Sequence, residues 1–317
     1  MVLDGFFVLC FAERRPPCAL ICVTDHEEIE AAQLQGVLQF IVNGKDPQGE
    51  PFGLGQLKEY AYDLCEVSCQ DFGLPLPQKC LMILLVRLDC GGPQKAKEAC
   101  AIVRLLSGRL NRSTLPEFLF DARDPRLKEA RTTKTQPQQG SGKRLLLKEA
   151  KALGADCASP YWQSQDGRRD PNKWFPDGSE VQKLHVNVAH AQAQKNGMHL
   201  DSLVLDVWQS VKDKDRVWRD DGLLPRCSSK SSGLHYVYSR HRTVTGREEL
   251  ACRGYPLDRI SFKCVNDDHD LVRHAVASIP VPVVGAALYA LLLVTKLGFR
   301  WIFRRLFCSM INFVQDF

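Results

Sequence analysis

Covalent and acid–base chemistry need a nucleophile, a titratable partner or an anion-binding loop. Few candidates stand out among the 317 residues. Cys18 follows Pro17 in the only Pro-Cys dipeptide, and a loop thiolate could add to an electrophilic carbon. Its neighbours point elsewhere. Arg14-Arg15-Pro16 precedes it and Ala19-Leu20-Ile21 follows, a run that enters a strand, so a buried structural cysteine is expected. Gly140-Ser-Gly142-Lys143-Arg144 brushes against a phosphate-binding loop, but Pro137 stands where glycine is needed and no Ser or Thr follows Lys143. His185, His190 and His199 share one helical region, yet the first two are five apart and point differently. Solvated histidines are expected there rather than a metal site. No G-x-S-x-G nucleophile elbow occurs.

Thirteen cysteines lie singly, without a C-x-x-C pair, which excludes a disulfide scaffold and gives a zinc knuckle little support. A reducing compartment with free thiols is expected, nuclear if the source is eukaryotic. Asp4 sits where a signal peptide would carry a cation. The chain is 44% apolar and 25% charged, the composition of a globular protein. Its formal charge of +5 is uneven: residues 123–183 carry 13 Lys/Arg against 8 Asp/Glu, a footprint suited to a polyanion.

The elements that must position these residues read as α/β. Asp4–Arg14 is expected to be a helix, and Cys18–Val23 a short buried strand after Pro16-Pro17. Glu27–Gly36 reads as an amphipathic helix, Asn43–Gly55 as a loop, and Leu57–Leu64 leads into a second strand. Leu81–Val86, apolar without alternation, predicts a central strand covered on both faces. Gln136–Lys143 is a polar linker, Ser159–Gly178 is rich in Trp, Pro, Asp and Arg, and Val181–Val217 returns to helical spacing. Ala275–Thr295 holds 21 residues without a charge, followed by Lys296, Arg300, Arg304 and Arg305. A membrane anchor is one reading of it. Pro280 and Pro282 shorten the helix to Val283–Leu297, about 22 Å at 1.5 Å per residue. A bilayer core of about 30 Å is longer, so burial is expected.

Four blocks, in order, resemble the C-terminal half of the DNA (cytosine-5) methyltransferase family. Arg14–Ile21 is similar to the approach to motif VI. Tyr60–Arg87, with Asp71-Phe72-Gly73 and Pro77-Gln78 before the strand, looks like motif VIII. Arg240–Pro256, with Thr245-Gly-Arg247-Glu248 and Gly254-Tyr255-Pro256, resembles motif IX, and Gly222–Pro225 with Ser228–Ser232 fits the approach to it. His274–Leu288, with Ser278-Ile279-Pro280-Val281, resembles motif X and its following helix.

The resemblance implies a partial Rossmann-like, S-adenosylmethionine-dependent methyltransferase fold with an inserted target-recognition region. It divides the chain into a truncated sheet over 1–90, a recognition-like region over 91–239, a motif IX–X return over 240–298 and a basic-apolar tail over 299–317. The family moves a methyl group from S-adenosylmethionine to a flipped-out cytosine in DNA, through a thiolate, a carboxyl group and cationic side chains. On that basis Ser278 and Ile279 would border the cofactor, and Arg168, Arg169, Arg240, Arg242 and Arg247 would meet DNA, although arginines of motif IX also serve to brace a recognition domain. The departures are severe. Cys22-Val23-Thr24 stands where Glu-Asn-Val belongs, and Lys79, Cys80, Leu81 and Met82 fill the motif VIII arginine stretch. Val276-Ala277 replaces Gly-Asn, and no Gly-rich cofactor loop precedes residue 14. Cys18 and Lys79 are the remaining weak catalytic candidates. The expectation is a truncated pseudoenzyme, inactive by itself, whose partners are DNA and a missing N-terminal half or partner chain. A non-catalytic DNA- or partner-binding remnant and an anchor through 275–295 are the alternatives.

Overall fold

The computed structural model describes residues 7–10, 19–25, 60–127, 143–154, 178–207, 218–225, 234–262 and 267–295. Cys18, Arg168, Arg169, the expected helix at Glu27–Gly36, the loop at Asn43–Gly55, residues 136–142 of the linker and the tail 299–317 lie outside them. The protein is mixed α/β with two small sheets. Contacts gather into two units, one of residues 1–73, 78–112 and 279–317, the other of 74–77 and 113–278.

The first unit is built on strands β1 (Phe7–Cys10), β2 (Ala19–Asp25), β3 (Tyr60–Ser68) and β4 (Lys79–Arg87), in the order β1-β2-β4-β3. Every pairing is antiparallel, with Ile21 opposite Leu84 and Cys65 opposite Met82. β2 and β3 therefore run the same way, and β4 returns between them against both. The ten residues between Ser68 and Lys79 are too few for the crossover that parallel neighbours require. Part of the helix expected over Asp4–Arg14 is strand instead, since Phe7–Cys10 pairs with Leu20–Val23. A short apolar run has no period that separates helix from strand, and the neighbouring β2 supplies the partner. The second strand also starts earlier than expected, at Tyr60.

Leu81–Val86 forms the centre of β4 and is buried throughout, as an unbroken apolar run should be. Helix α1 (Gly92–Leu106) turns Ala96, Ala99, Cys100 and Val103 inward against β3 and β4. The spacing of three and four is a single helical stripe. The last described helix, Val281–Thr295, buries Val283, Ala286, Ala287, Ala290, Leu291 and Val294 and packs on α1, β4 and β2. By length and composition Asp268–Thr295 is long and apolar enough to cross a membrane, with 33% of its apolar window buried.

The second unit centres on strands β5 (Val204–Asp206), β6 (Trp218–Arg219), β7 (His235–Val237) and β8 (Arg242–Thr243), antiparallel in the order β6-β5-β7-β8. Helix α2 spans Lys143–Leu153 and α3 spans Glu180–Lys195. One side of α3, with Val186, Ala189 and Ala193, joins Leu203, Leu205, Val207, Tyr236 and Tyr238 in a core. Val181, Leu184 and Val188 cover Leu146 and Ala150 of α2. Covered from two sides, α3 keeps His185 buried at 2% exposure, not solvated as expected. The helical spacing expected to Val217 stops at Lys195. Gly197 takes the left-handed conformation (φ 70°) that ends helices, and Val204–Asp206 is a strand.

Two further helices, α4 (Gly246–Cys252) and α5 (Asp268–Ala277), pack closely, and the helix Val281–Thr295 is α6. The division of contacts differs from the boundaries expected at residues 90 and 240. α1 belongs with the sheet, so that unit runs to Arg112, and Arg240–Ser278 packs with the middle region.

Candidate functional site

Among the described residues, the densest buried polar group lies in the motif IX-like block. Thr245 caps α4 and Glu248 closes the capping box, the reason a Thr-x-x-Glu spacing starts a helix here. Glu248 has no exposed surface and holds five donors. Its Oε1 accepts from the Phe120 N–H and Arg242 Nη2, each at 2.6 Å. Its Oε2 accepts from Arg242 Nη1 at 2.8 Å, the Thr245 N–H at 2.9 Å and the Thr245 hydroxyl at 3.1 Å. Arg242 Nη2 also donates to the Phe120 carbonyl at 3.2 Å. A carboxylate so saturated cannot act as a general acid or base. It is a clamp joining β8, the start of α4 and the segment at Phe120.

Next to it, Glu249 Oε1 meets His235 Nδ1 at 2.5 Å, both side chains 1% exposed, tying α4 to β7. Burial and then the two neighbouring glutamates push the Cys252 thiol well above its ordinary range, so it stays protonated and inert. On the other side of α4 the Gly246 N–H donates to Asp268 Oδ1 at 2.9 Å. Burial, opposed by that hydrogen bond and reinforced by Glu248, pushes the Asp268 carboxyl up to about 7. Gly246 is required by the approach of α5: an added Cβ would lie 2.7 Å from Leu271 Cβ and 2.9 Å from the Asp268 carbonyl.

The motif VIII-like turn is likewise held by backbone needs. Asp71 accepts from the Ser107 hydroxyl at 3.2 Å, and its carbonyl from the Gly108 N–H at 2.8 Å. Phe72 is buried, and Gly73 adopts φ 74°, which glycine takes without strain. Lys79 stands exposed at the start of β4 and pairs with Glu66 at 3.3 Å, both side chains about half exposed. It is a surface ion pair, not a cation aimed into a reaction centre.

The remaining expected site residues are not brought together. Ser278 ends α5, its hydroxyl donating to the Ala275 carbonyl at 2.7 Å and its own carbonyl accepting from Arg253 at 3.3 Å. Ile279 is half-buried. Arg242 is the brace already described. Arg247 lays its guanidinium over the Phe262 ring, 4.8 Å from the centroid. Arg240 alone of the three is exposed, just before His241 in the left-handed conformation. Sequence reasoning missed His235, Glu249, Asp268 and the Phe120 backbone; the Thr-x-x-Glu spacing was the one available signal, and it identifies a helix cap. His190 is half-buried and its pKa is lowered by burial. No protein-family model matches the chain, and no curated protein matches it.

Proposed function

We propose that this chain is a nucleic-acid-binding protein built on the C-terminal half of a DNA (cytosine-5) methyltransferase-like fold: a partial Rossmann-like sheet with an inserted recognition region. By itself it does not transfer a methyl group from S-adenosylmethionine. The observation that carries the reading is the assembly of three distant blocks in one unit. The motif VI-like strand β2 pairs along its whole length with the motif VIII-like strand β4, and the motif X-like helix α6 packs on both. The described strands pair only antiparallel, with β4 between β2 and β3, so the support for the reading is the order and packing of the blocks and not a parallel sheet.

Against catalysis stand the residues themselves. Cys22-Val23-Thr24 supplies no carboxylate on β2, and Lys79 is neutralised by Glu66. Arg242 and Glu248 are committed to each other. Two tests bear on this. A calorimetric titration of S-adenosylmethionine into the full chain should give no saturable heat, and micromolar binding would overturn the catalytic half of the proposal. A duplex DNA gel shift should appear at low salt and fade as salt rises, because phosphate contacts release counterions.

A second reading, an anchor through 275–295, draws on the length and hydropathy of Asp268–Thr295. Carbonate extraction separates the two, since a spanning helix stays in the pellet. The packing of α6 on β2, β4 and α1 favours release into the supernatant.

A further inference from the structure

Several of the described cations are neutralised in place. Arg87 pairs with Asp89, Arg112 with Asp71, Arg126 with Asp124, Arg219 with Asp221 and Lys95 with Glu98. Helix α2 gathers four that are not. Lys143, Arg144, Lys148 and Lys151 are all exposed, and none has an ion pair among the described residues. The one acid of the helix, Glu149, is half-buried and engaged elsewhere.

The reason lies in how α2 is held. Leu146 and Ala150 sit four apart and face Val181, Leu184 and Val188 of α3, which fixes the rotation of the helix. Arg144, Lys148 and Lys151 follow at spacings of four and three, so they form one outward stripe about 10 Å long at 1.5 Å per residue. Leu145 and Leu147, 44% and 51% exposed, lie beside it. Phosphates on one strand of a duplex advance about 3.4 Å per nucleotide, so the stripe matches three to four successive charges. Four uncompensated cations on a rigid helix repel one another when free, and a phosphate backbone removes that cost.

We infer that the outer face of α2 is a sequence-independent docking surface for the phosphate backbone of nucleic acid. It deepens the nucleic-acid reading above and rests on it for the class of partner. Of its four cations Arg144 alone carries a fork that could read a base edge; the other three are lysines, which meet phosphates as point charges. Affinity without sequence preference follows.

The test uses the full chain, a 24-base-pair duplex and an RNA hairpin of equal charge, read by fluorescence anisotropy from 50 to 200 mM salt. Parent protein is compared with K143Q/R144Q/K148Q/K151Q and with K97Q, an exposed cation on α1, as a surface control, each checked by circular dichroism. The quadruple variant should bind at least about tenfold more weakly, with a log–log salt slope shallower by up to about 3.6, at 0.9 for each phosphate no longer neutralised. K97Q should leave that slope unchanged within about 0.9. Equal loss on duplex and RNA supports backbone recognition; loss on one alone assigns the surface to that polymer. An unchanged slope in the quadruple variant overturns the surface while leaving the nucleic-acid reading intact. No binding of either polymer by the parent overturns both. Vesicles with anionic lipid serve as a counter-probe, and a parent that binds them in preference to either polymer also overturns the inference.

Discussion

Replacing Glu248 by Gln should cost this protein a large part of its stability, and the size follows from the donors around it. Glutamine keeps one acceptor oxygen and turns the other into an amine. If the amine takes the Oε2 position, it faces Arg242 Nη1, the Thr245 N–H and the Thr245 hydroxyl. In the reverse orientation it faces the Phe120 N–H and Arg242 Nη2. Either way the largely buried guanidinium loses its counter-charge, and a buried backbone N–H loses its acceptor. Breaking one side of a buried ion pair costs about 3–5 kcal/mol. For a body of this size that is a fall in Tm of about 10 °C. Adding Arg242→Met removes the stranded charge and leaves only the unmet N–H groups, so the double variant should recover part of the loss, with a residual cost of about 1–3 kcal/mol. Thermal and urea unfolding of the parent, both single variants and the double variant give the coupling. A Glu248→Gln protein melting within about 2 °C of the parent would refute the clamp.

Three more outcomes follow from the same region. Gly246→Ala should destabilise by about 1–3 kcal/mol through its clash with Leu271, although alanine is the better helix former, and chemical unfolding measures it. Asp268 titrates near 3.8 when unfolded and about 7 when folded, so the folded protein retains the proton and stability falls as pH rises from about 4 to about 7. Asp268→Asn keeps the carbonyl that accepts from Gly246 and should flatten that pH dependence, adding about 3–4 kcal/mol above pH 7; equal slopes in the two proteins would contradict it. His190, held neutral by burial, must take up a proton more readily once unfolded. Its own contribution is therefore lost as pH drops below about 6.5, opposing the gain from Asp268 over that range, so His190→Gln should make the Asp268 slope steeper in pH-dependent unfolding.

The elements legible in the sequence were those with a local cause. Leu81–Val86 is apolar without interruption because β4 is covered on both faces, and Pro280 precedes α6, which opens at Val281 and not at the expected Val283, with Pro282 tolerated in its first turn. Thr245 and Glu248 announce the cap of α4. Elements decided by a distant partner were not legible. Phe7–Cys10 is a strand because β2 lies beside it, and β5 is a strand because β7 does. The polar centre shows the same limit. The Glu248 cap could be read from spacing, but its grip on Phe120, 128 residues away, could not. Nor could the pairing of His235 with Glu249, or the burial of His185 between two layers that α3 separates. The +5 stretch was visible as composition, but the gathering of four of its cations on one exposed helix, α2, was not.

The measurement closest to the central claim is the salt dependence of duplex DNA binding by the full, unmodified chain. The account predicts a complex at 50 mM salt whose log affinity falls linearly with log salt, at a slope of about −3.6 or steeper for four or more phosphate contacts. No complex at 50 mM, or one indifferent to salt, would contradict it.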